Sequence, residues 1–566
     1  MPKSPQPFHP RHLAALCAYL FLALPLVAQT EGGEMETLWQ WNGTAPGDNF
    51  GYTTAAAGDV NADGVVDVII GAWGASPSGI NKAGSVFVYS GSDGSLLHRW
   101  DGYAANDALG KTVCSVGDVN GDGHADLLMG AVGANPNNLE DAGTVILCSG
   151  ADGSLLRKWN GQAPFDSLGA AVSGIADLDG DGTADVIVSA PGSGMVYAFS
   201  TVTGAPIYQW NAQVSNDGFG VSVNAAGDVN QDGSEDILIG AYHAGTAAAK
   251  GVAYLYSGAD GFLLYRWKGL KQGDHFGHAV TAAGDLNDDG YPDIAIGAPF
   301  ADPGGRISAG SAYAFSGFNG SLIYQWDGEE VGEQLGYAIS EAGDVDGDGH
   351  PDVIVGSYLA DKANLEDAGK FTIFSGLDGT DLLHRRGQEE RIRLGNSVAA
   401  IGDVNQDGRD DVVVGIYHFD VNGQSAAGSA IVLGFNPFIE VNTRMVSASA
   451  GGLLRFGLKF PTSAKNENYK ILVSRSGIGP TMFGVNIPLT VDPLTKSTYL
   501  GNYPVSASTE LQGQLNARAR GFATMTIQAG LPAAAIGQTF WVAAIVEPAG
   551  ELPQHTSIVI PITVVP

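Results

Sequence analysis

A nine-residue pattern that recurs seven times is the feature of this sequence that most constrains its fold. The first copy is DVNADGVVD, Asp59 to Asp67, with oxygen-bearing side chains at positions one, three, five and nine and glycine at position six. Later copies begin at Asp118, Asp177, Asp228, Asp285, Asp344 and Asp403, so their starts are 51–59 residues apart. A repeat of this length is typical of β-propeller blades and is longer than the common helical repeats.

The alternating oxygens predict a calcium loop. Ca²⁺ takes six to eight oxygen ligands, and glycine permits the sharp turn after the fifth position. An EF-hand would need flanking helices and a Glu at position twelve, where this chain has Ile70 in the apolar run DVIIGA. We therefore expect each loop to join two strands and about seven Ca²⁺ to bind per chain. The predicted ligands are Asp59, Asn61, Asp63 and Asp67; Asp118, Asn120, Asp122 and Asp126; Asp177, Asp179, Asp181 and Asp185; Asp228, Asn230, Asp232 and Asp236; Asp285, Asn287, Asp289 and Asp293; Asp344, Asp346, Asp348 and Asp352; Asp403, Asn405, Asp407 and Asp411.

The segments around each loop predict an all-β fold. The second repeat reads LGKTVCSVGD before its loop, then DLLMGA, GTVILCSG and, after a turn, SLLRKWNG, which gives four strands separated by Gly and Asp turns. The strand after each loop is continuously apolar, as expected for a strand buried on both faces between neighbouring blades. We predict a seven-bladed propeller over residues 35–436.

The seventh repeat lacks a fourth strand, because NPFIEV follows GSAIVLGF. The segment TLWQWNG, Thr37 to Gly43, matches LLHRWDG of the first repeat and precedes the first blade. We therefore predict that this N-terminal strand completes the last blade and closes the ring, which hides the sheet edges.

Tryptophans stand near the end of the fourth strands, at Trp100, Trp159, Trp210, Trp267 and Trp326, and Arg386 is assigned to the same place in the sixth repeat. Such a row can bind sugars, but burying a large ring between sheets needs no ligand. We favour packing between blades.

The formal charge of −32 is unfavourable for binding nucleic acid, and much of it lies in the seven loops. Residues 1–28 resemble a signal peptide, with Lys3 and Arg11 before an apolar stretch that ends at Ala28. No later segment is long and apolar enough to span a bilayer. We expect a secreted protein, extracellular or at the cell surface. Cys114 and Cys148 lie on alternate strands of one blade, too far apart for a disulfide.

These motifs resemble the FG-GAP repeats of the integrin α-subunit propeller. The FG element appears as Phe50-Gly51 and Phe219-Gly220 and in variants such as Leu109-Gly110, and the GAP element appears as GAP at Gly297 and in variants such as GAW at Gly71. The resemblance covers about Thr37 to Phe435. It implies a seven-bladed propeller with calcium loops on one face and partner binding mainly on the opposite face. All seven repeats carry a loop here, whereas the integrin pattern has loops in only some blades, and the chain looks more like the secreted FG-GAP proteins of bacteria.

On this layout the loops between second and third strands lie opposite the metals. They carry the ligand-face candidates Trp73, Tyr242, His243, Phe300, Tyr358, Tyr417 and His418. These aromatic residues either form a patch that recognises protein or glycan or pack onto the ring, and the sequence leaves both readings open.

Residues 437–566 lack the calcium pattern, and their alternating segments predict a small β-sandwich-like domain. The chain shows no HExxH, no G-x-S-x-G, no phosphate loop and no zinc spacing, so no catalytic residue and no enzyme activity are predicted. We expect a secreted, monomeric, calcium-binding propeller that acts in adhesion or recognition of an extracellular protein or glycan. The alternatives are a carbohydrate-binding or glycan-processing propeller and a structural envelope component.

Overall fold

The seven-bladed propeller is confirmed. A computed structural model describes residues 34–214, 216–244 and 250–436 and, between 439 and 565, mainly strand segments. Within 34–436 the regular structure is β, apart from three short 3-10 helices at Pro77–Gly79, Pro136–Asn138 and Pro303–Gly305. The strands of this range form seven four-stranded antiparallel sheets, one for each repeat.

The first strand of each blade lies innermost, and these strands contact one another around the ring. The first strands are β2 Thr53–Gly58, β6 Leu109–Gly117, β10 Val172–Ile175, β14 Phe219–Ala225, β18 Val280–Gly284, β22 Ala338–Gly343 and β26 Val398–Gly402. The second strands are β3 Asp67–Ala72, β7 Asp126–Ala131, β11 Asp185–Ala190, β15 Ile237–Ala241, β19 Asp293–Ala298, β23 Asp352–Ser357 and β27 Asp411–Ile416.

The third and fourth strands continue each sheet outward. The third strands are β4 Ser85–Tyr89, β8 Thr144–Cys148, β12 Met195–Phe199, β16 Val252–Tyr256, β20 Ser311–Phe315, β24 Lys370–Phe374 and β28 Ser429–Asn436. The fourth strands are β5 Leu96–Asp101, β9 Leu155–Asn160, β13 Pro206–Asn211, β17 Leu263–Lys268, β21 Leu322–Asp327, β25 Asp381–Arg386 and, in the seventh blade, β1 Glu34–Asn42.

The second strands form the core of the blades, as their apolar sequences predicted. Every residue of these seven strands is buried. Each strand lies in the middle of its sheet, so neighbouring strands satisfy its backbone while the adjacent blades cover its two faces.

The glycines of the FG and GAP elements allow neighbouring blades to approach closely. A Cβ at Gly71 of the first blade would lie 2.1 Å from the carbonyl oxygen of Gly110 in the second. The contact recurs around the ring, and a Cβ at Gly415 of the seventh blade would lie 2.0 Å from the carbonyl oxygen of Gly51 in the first. Six of the seven blades have glycine here, where a side chain would push two blades apart, and the third blade has Ser189 instead.

The N-terminal strand closes the ring, as predicted. β1 pairs antiparallel with β28 from Glu34 opposite Asn436 to Asn42 opposite Ser429, with an irregularity between Thr37 and Trp39. The seventh sheet therefore has the order β1-β28-β27-β26. The first and last repeats are held together by backbone hydrogen bonds between segments almost 400 residues apart in sequence.

The tryptophan row packs between blades, as the sequence analysis predicted. Each indole N–H donates to the carbonyl of a turn glycine in the following blade, for example from Trp41 to Gly94 at 3.0 Å and from Trp267 to Gly320 at 3.0 Å. One assignment was wrong: the residue at the tryptophan position of the sixth blade is Arg385, which stands opposite Phe371 as Trp100 stands opposite Val86. The sequence analysis had assigned this position to Arg386, which is one residue further along β25.

The strands described beyond residue 438 are β29 Ile439–Val441, β30 Met445–Ser447, β31 Gly452–Lys459, β32 Asn468–Ser474, β33 Thr481–Met482, β34 Asn486–Ile487, β35 Ala507–Glu510, β36 Gln512–Gln514, β37 Arg520–Ile527, β38 Thr539–Glu547, β39 His555–Thr556 and β40 Ile560–Val565. One sheet has the order β29-β31-β37-β35, and another has β30-β40-β38-β32-β36 with β39 beside β38. Much of 437–566 lies outside the described residues, so the sandwich stays a prediction, as do the domain boundaries.

The predicted signal peptide, residues 1–28, also lies outside the described residues. Among those described, no helix has the length and apolarity needed to cross a membrane. Cys114 and Cys148 are both free thiols, in agreement with the distance argument.

Candidate functional site

The seven acidic loops connect first to second strands and therefore lie on one face of the ring, here called the metal-loop face. In each loop the Asp at position one accepts hydrogen bonds from the backbone N–H groups of positions five and six. In the first loop Asp59 accepts from Asp63 at 3.0 Å and from Gly64 at 2.9 Å. The glycines at position six have φ between 84° and 95°, a conformation that L-residues with a side chain rarely adopt.

The Asp at position nine is the first residue of the second strand or directly precedes it, and it is buried in every blade. Asp236 accepts from the N–H of Val229 at 2.9 Å and from the N–H of Gly258 at 3.0 Å. This carboxylate therefore ties the loop to the turn between the third and fourth strands of the same blade. It also places a negative charge in a poorly solvated position, where a cation would stabilise it.

Burial is the main cause of a raised pKa at these position-nine carboxyls, and the other acids of the loops add to it. It raises the pKa of Asp67 and Asp185 to about 6, of Asp236 and Asp293 to about 7 and of Asp411 to about 8, and it also raises the pKa of Asp126 and Asp352. Position one behaves differently in the third blade, where backbone N–H donors, led by Gly182, lower the pKa of Asp177.

Three carboxylates converge in two of the loops. Oxygens of Asp177, Asp179 and Asp185 lie within 4.8 Å of one another, and so do those of Asp344, Asp346 and Asp348. These are the two loops with Asp at position three. The other five have Asn, as at Asn61, whose side-chain oxygen accepts from the N–H of Asp63 at 2.9 Å. The donor set of carboxylate and amide oxygens fits a hard divalent cation, and the assignment of each predicted ligand stays a prediction.

The opposite face of the ring, here called the aromatic face, carries the predicted ligand-face candidates. First strands begin and second strands end on this face, so the residues directly after the second strands gather around the ring. Trp73, Tyr242, Phe300, Tyr358, Tyr417 and His418 are half-buried, and His243 is exposed. Tyr417 and His418 have ring centroids 4.4 Å apart, and Tyr242 and His243 have centroids 4.2 Å apart.

The predicted candidates are joined into a patch by further residues, which the sequence analysis missed. Each of these further residues directly follows an FG or LG dipeptide in the sequence. Tyr52 lies between Trp73 and Tyr417, with ring centroids 5.9 Å and 5.3 Å away, and Tyr337 lies 4.0 Å from Tyr358. The fixed place after the repeated glycine was the signal that would have found them.

These linking residues line a cavity of about 270 Å³ at the mouth of the central channel. Tyr52, Lys111, Tyr337, Asn396 and Tyr417 are among its walls. The aromatic residues of this face therefore pack on one another, and Tyr52, Tyr337 and Tyr417 also line the cavity, while a role in recognition stays a prediction.

The positive charges at the channel mouth are held by aromatic rings. The ammonium of Lys111 lies 3.9 Å from the ring centroid of Tyr52 and 4.7 Å from that of Trp73. The guanidinium of Arg393 donates to the hydroxyl of Tyr417 at 2.7 Å and lies 3.8 Å from a carboxylate oxygen of Asp367. The cation–π contacts of Lys111 fix the position of its charge without neutralising it, whereas Arg393 is paired with a carboxylate.

Histidines that look scattered in the sequence meet on the aromatic face. The ring centroids of His243 and His275 are 4.8 Å apart, and His278 lies 5.9 Å from Tyr242. Burial lowers the pKa of His278 to about 4 and also lowers the pKa of His275. The lowered pKa values favour the neutral form of these two rings at physiological pH, and Lys111 contributes a positive charge to this face.

Comparison with known proteins agrees with this architecture. A family model described as "FG-GAP repeat" matches residues 112–148, 276–315, 336–374 and 394–433, and an "FG-GAP-like repeat" model matches 177–239. Similar curated proteins include integrin alpha-5 of Xenopus laevis, 31% identical over 210 residues, and integrin alpha-V of Gallus gallus, 31% identical over 217 residues. Residues 34–436 thus form a seven-bladed propeller that contains FG-GAP repeats, and part of this chain is similar to integrin α subunits.

The similarity covers only part of each protein. The alignments take in 33% of this chain and 19% of integrin alpha-5, and 35% of this chain and 20% of integrin alpha-V. The chain therefore spans about a fifth of the length of these relatives.

Proposed function

We propose that this protein is a secreted, non-catalytic recognition or adhesion protein whose aromatic face binds an acidic extracellular partner and whose metal-loop face binds Ca²⁺. The observation that carries the proposal is the cluster of ring contacts at the channel mouth, in which Tyr52 joins Trp73 to Tyr417 and the ammonium of Lys111 lies over Tyr52 and Trp73. The integrin-like architecture supports adhesion or ligand recognition as the general role.

The charge distribution supports an acidic ligand. The chain as a whole carries a formal charge of −32, yet the channel mouth is lined by aromatic rings, a lysine and uncharged polar groups. Lys111 makes no ion pair among the described residues, so its charge remains available to a carboxylate or sulfate. Aromatic rings beside it provide apolar contact area at low entropic cost, as they do in protein interfaces.

Calcium would act on stability in this proposal. The loops lie on the opposite face from the channel mouth, and in the first six blades the position-nine aspartate connects the loop to the second strand and to the turn after the third strand. Ca²⁺ bound by the loop oxygens would neutralise the buried carboxylates and fix the blade edges. The chain's own residues would supply the ligands and the rigid frame.

The test is adhesion of purified protein to surfaces coated with sulfated polysaccharides, uronic-acid polysaccharides or extracellular-matrix proteins. We expect saturable binding to at least one of these acidic surfaces and a loss of about tenfold or more in Lys111→Glu and in Trp73→Ala, because a hot-spot contact is worth about 2 kcal/mol or more. Phe262→Ala is the matched control, since Phe262 is 73% exposed and belongs to a turn on the metal-loop face.

Binding that is equal in Lys111→Glu, Trp73→Ala and the wild type would contradict the proposed face. Absence of binding to every coated surface would contradict recognition of an acidic partner. Selectivity for polysaccharides over proteins would favour the carbohydrate-binding alternative at the same residues.

A further inference from the structure

A gap in the regular packing between blades marks a second binding site, which lies in the wall of the propeller and is independent of the proposed partner. At five junctions the tryptophan of one blade stacks on a ring at the end of the third strand of the next blade. The ring centroids lie 4.7–5.7 Å apart in the pairs Trp41 with Tyr89, Trp159 with Phe199, Trp210 with Tyr256, Trp267 with Phe315 and Trp326 with Phe374. The chain thus repeats one arrangement of two rings in contact, stacked in three of the pairs and tilted in the pairs of Trp210 and Trp267.

The junction between the first and second blades departs from this arrangement. Trp100 keeps the hydrogen bond of its indole N–H to the carbonyl of Gly153, at 2.9 Å, so its ring is held in the usual place. The residue that ends the third strand of the next blade is Cys148, where the five junctions above have Phe or Tyr; the junction between the sixth and seventh blades, which lacks the tryptophan, has Leu433. Ile146, two residues earlier, likewise has no aromatic ring, whereas the third, fourth and fifth blades have Tyr197, Tyr254 and Tyr313 at that position.

The missing ring leaves a cavity of about 190 Å³ beside Trp100. Its walls include Trp100, Ile146, Cys148 and Leu155, and its rim includes Tyr103 and Lys158. Trp100 is only half-buried, whereas the tryptophans at the five filled junctions are 5–9% exposed. An apolar cavity of about 150 Å³ is sufficient to bind benzene.

The walls beside Trp100 are mainly apolar and favour a neutral ring, and the polar part of the lining includes Thr144, Lys158 and the carboxyl-bearing Asp101 and Asp107. Burial raises the pKa of the Cys148 thiol to about 12, so the sulfur faces the cavity as an uncharged, polarizable group. Trp100 presents the ring face on which an aromatic side chain lies at the other five junctions. Lys158 and the hydroxyl-bearing Tyr103 are exposed at the opening, where a polar substituent would reach both them and water.

We propose that this cavity, here called the slot, binds small molecules that carry a single aromatic ring and one polar substituent, such as simple phenols. The ring of the ligand lies against Trp100, in the place that a Phe or Tyr side chain occupies at the five filled junctions. The ligand completes the packing that the chain itself completes elsewhere. The site lies in the wall of the propeller and uses no residue of the channel mouth.

The test is titration of the full chain with 4-fluorophenol, followed by fluorine NMR. We expect saturable binding to wild type and a loss of about tenfold or more in Cys148→Phe, because the new ring would fill the slot as Phe199 fills the next one. Phe374→Cys is the mirror variant: Thr372 already stands two residues before it, so this change should open an equivalent slot beside Trp326 and add a second binding site. Lys111→Ala, at the channel mouth, should leave the titration unchanged.

A crystal soaked in 4-iodophenol gives a readout that does not depend on any variant folding. The anomalous signal of iodine is expected beside Trp100, at the rim formed by Tyr103 and Lys158. Unsaturable binding, iodine located only elsewhere, or equal binding by Cys148→Phe and wild type would overturn the proposal. A failure of adhesion at the aromatic face would leave these results unaffected.

Discussion

Deletion of residues 37–43 is expected to abolish the cooperative unfolding transition of the propeller. These residues form most of β1, which supplies the fourth strand of the seventh blade and the Trp41 ring between the seventh and first blades. Without them β28 becomes an open edge, and the ring loses the strand that joins its two ends. Differential scanning calorimetry and near-ultraviolet circular dichroism measure the effect.

A single substitution in the same strand is expected to lower the stability of the propeller by a smaller amount. Trp41→Ala removes the ring stacked 4.7 Å from Tyr89 and the hydrogen bond to the carbonyl of Gly94. Loss of a buried Trp costs about 3–5 kcal/mol, a large part of the 5–15 kcal/mol by which folded domains are stable. Gln40→Ala, at an exposed position of β1, is the control and should change stability by less than about 0.5 kcal/mol. A deletion variant that melts like wild type would show that the ring closes without β1.

Removal of calcium is expected to lower the melting temperature strongly, and the drop should be larger at about pH 8 than at about pH 5. Binding at ten times its Kd stabilises a protein by about 1.4 kcal/mol for each site. Seven sites would therefore contribute on the order of 10 kcal/mol, comparable with the whole stability of a domain. Melting curves of decalcified protein with and without added Ca²⁺, at the two pH values, measure the effect.

The pH dependence follows from the position-nine carboxyls. Their pKa values in the metal-free fold, about 6 for Asp67, about 7 for Asp236 and about 8 for Asp411, lie above the value of about 3.9 for an unfolded Asp. The metal-free fold binds these protons more tightly than the unfolded chain does. It therefore has this stabilisation at acid pH and loses it as the pH rises through 6–8. Ca²⁺ competes with the protons, so its contribution grows over the same range.

Asp236→Asn separates the effect of charge from that of geometry. The amide oxygen can still accept a hydrogen bond from Val229 or Gly258, but the buried charge is gone. We expect the decalcified variant to be more stable than decalcified wild type at about pH 8, and the calcium-loaded variant to be less stable than loaded wild type. A calcium effect of equal size at both pH values would contradict the linkage.

The sequence predicted the repeating parts of this molecule because each repeat supplies independent evidence. The seven loops, the buried second strands and the closing strand at Trp41 all depend on patterns that recur in a fixed register. The assignment of Arg386 was wrong because the fourth strand of the sixth blade has no tryptophan. The pairing of Arg385 with Phe371 fixes the register of this strand.

The channel mouth and the slot beside Trp100 could not be predicted in the same way. Both depend on which residues of different blades meet in space. Tyr52 contacts Tyr417 across the junction that closes the ring, and Trp100 faces Cys148 of the following blade. The slot is visible only as a departure from the other junctions, and it needs the repeated packing of tryptophan on a ring as its reference.

The measurement that tests the central claim most directly is a count of bound calcium by native mass spectrometry, on wild type and on Asp63→Ala, prepared in Ca²⁺. Asp63 occupies position five of the first loop, and its carboxylate accepts hydrogen bonds from Asn61 and Val65 at the exposed side of that loop. The account predicts about seven Ca²⁺ for wild type and one fewer for Asp63→Ala. A wild-type protein that binds no calcium, or an Asp63→Ala variant that binds as many ions as wild type, would contradict the assignment of these loops as calcium sites.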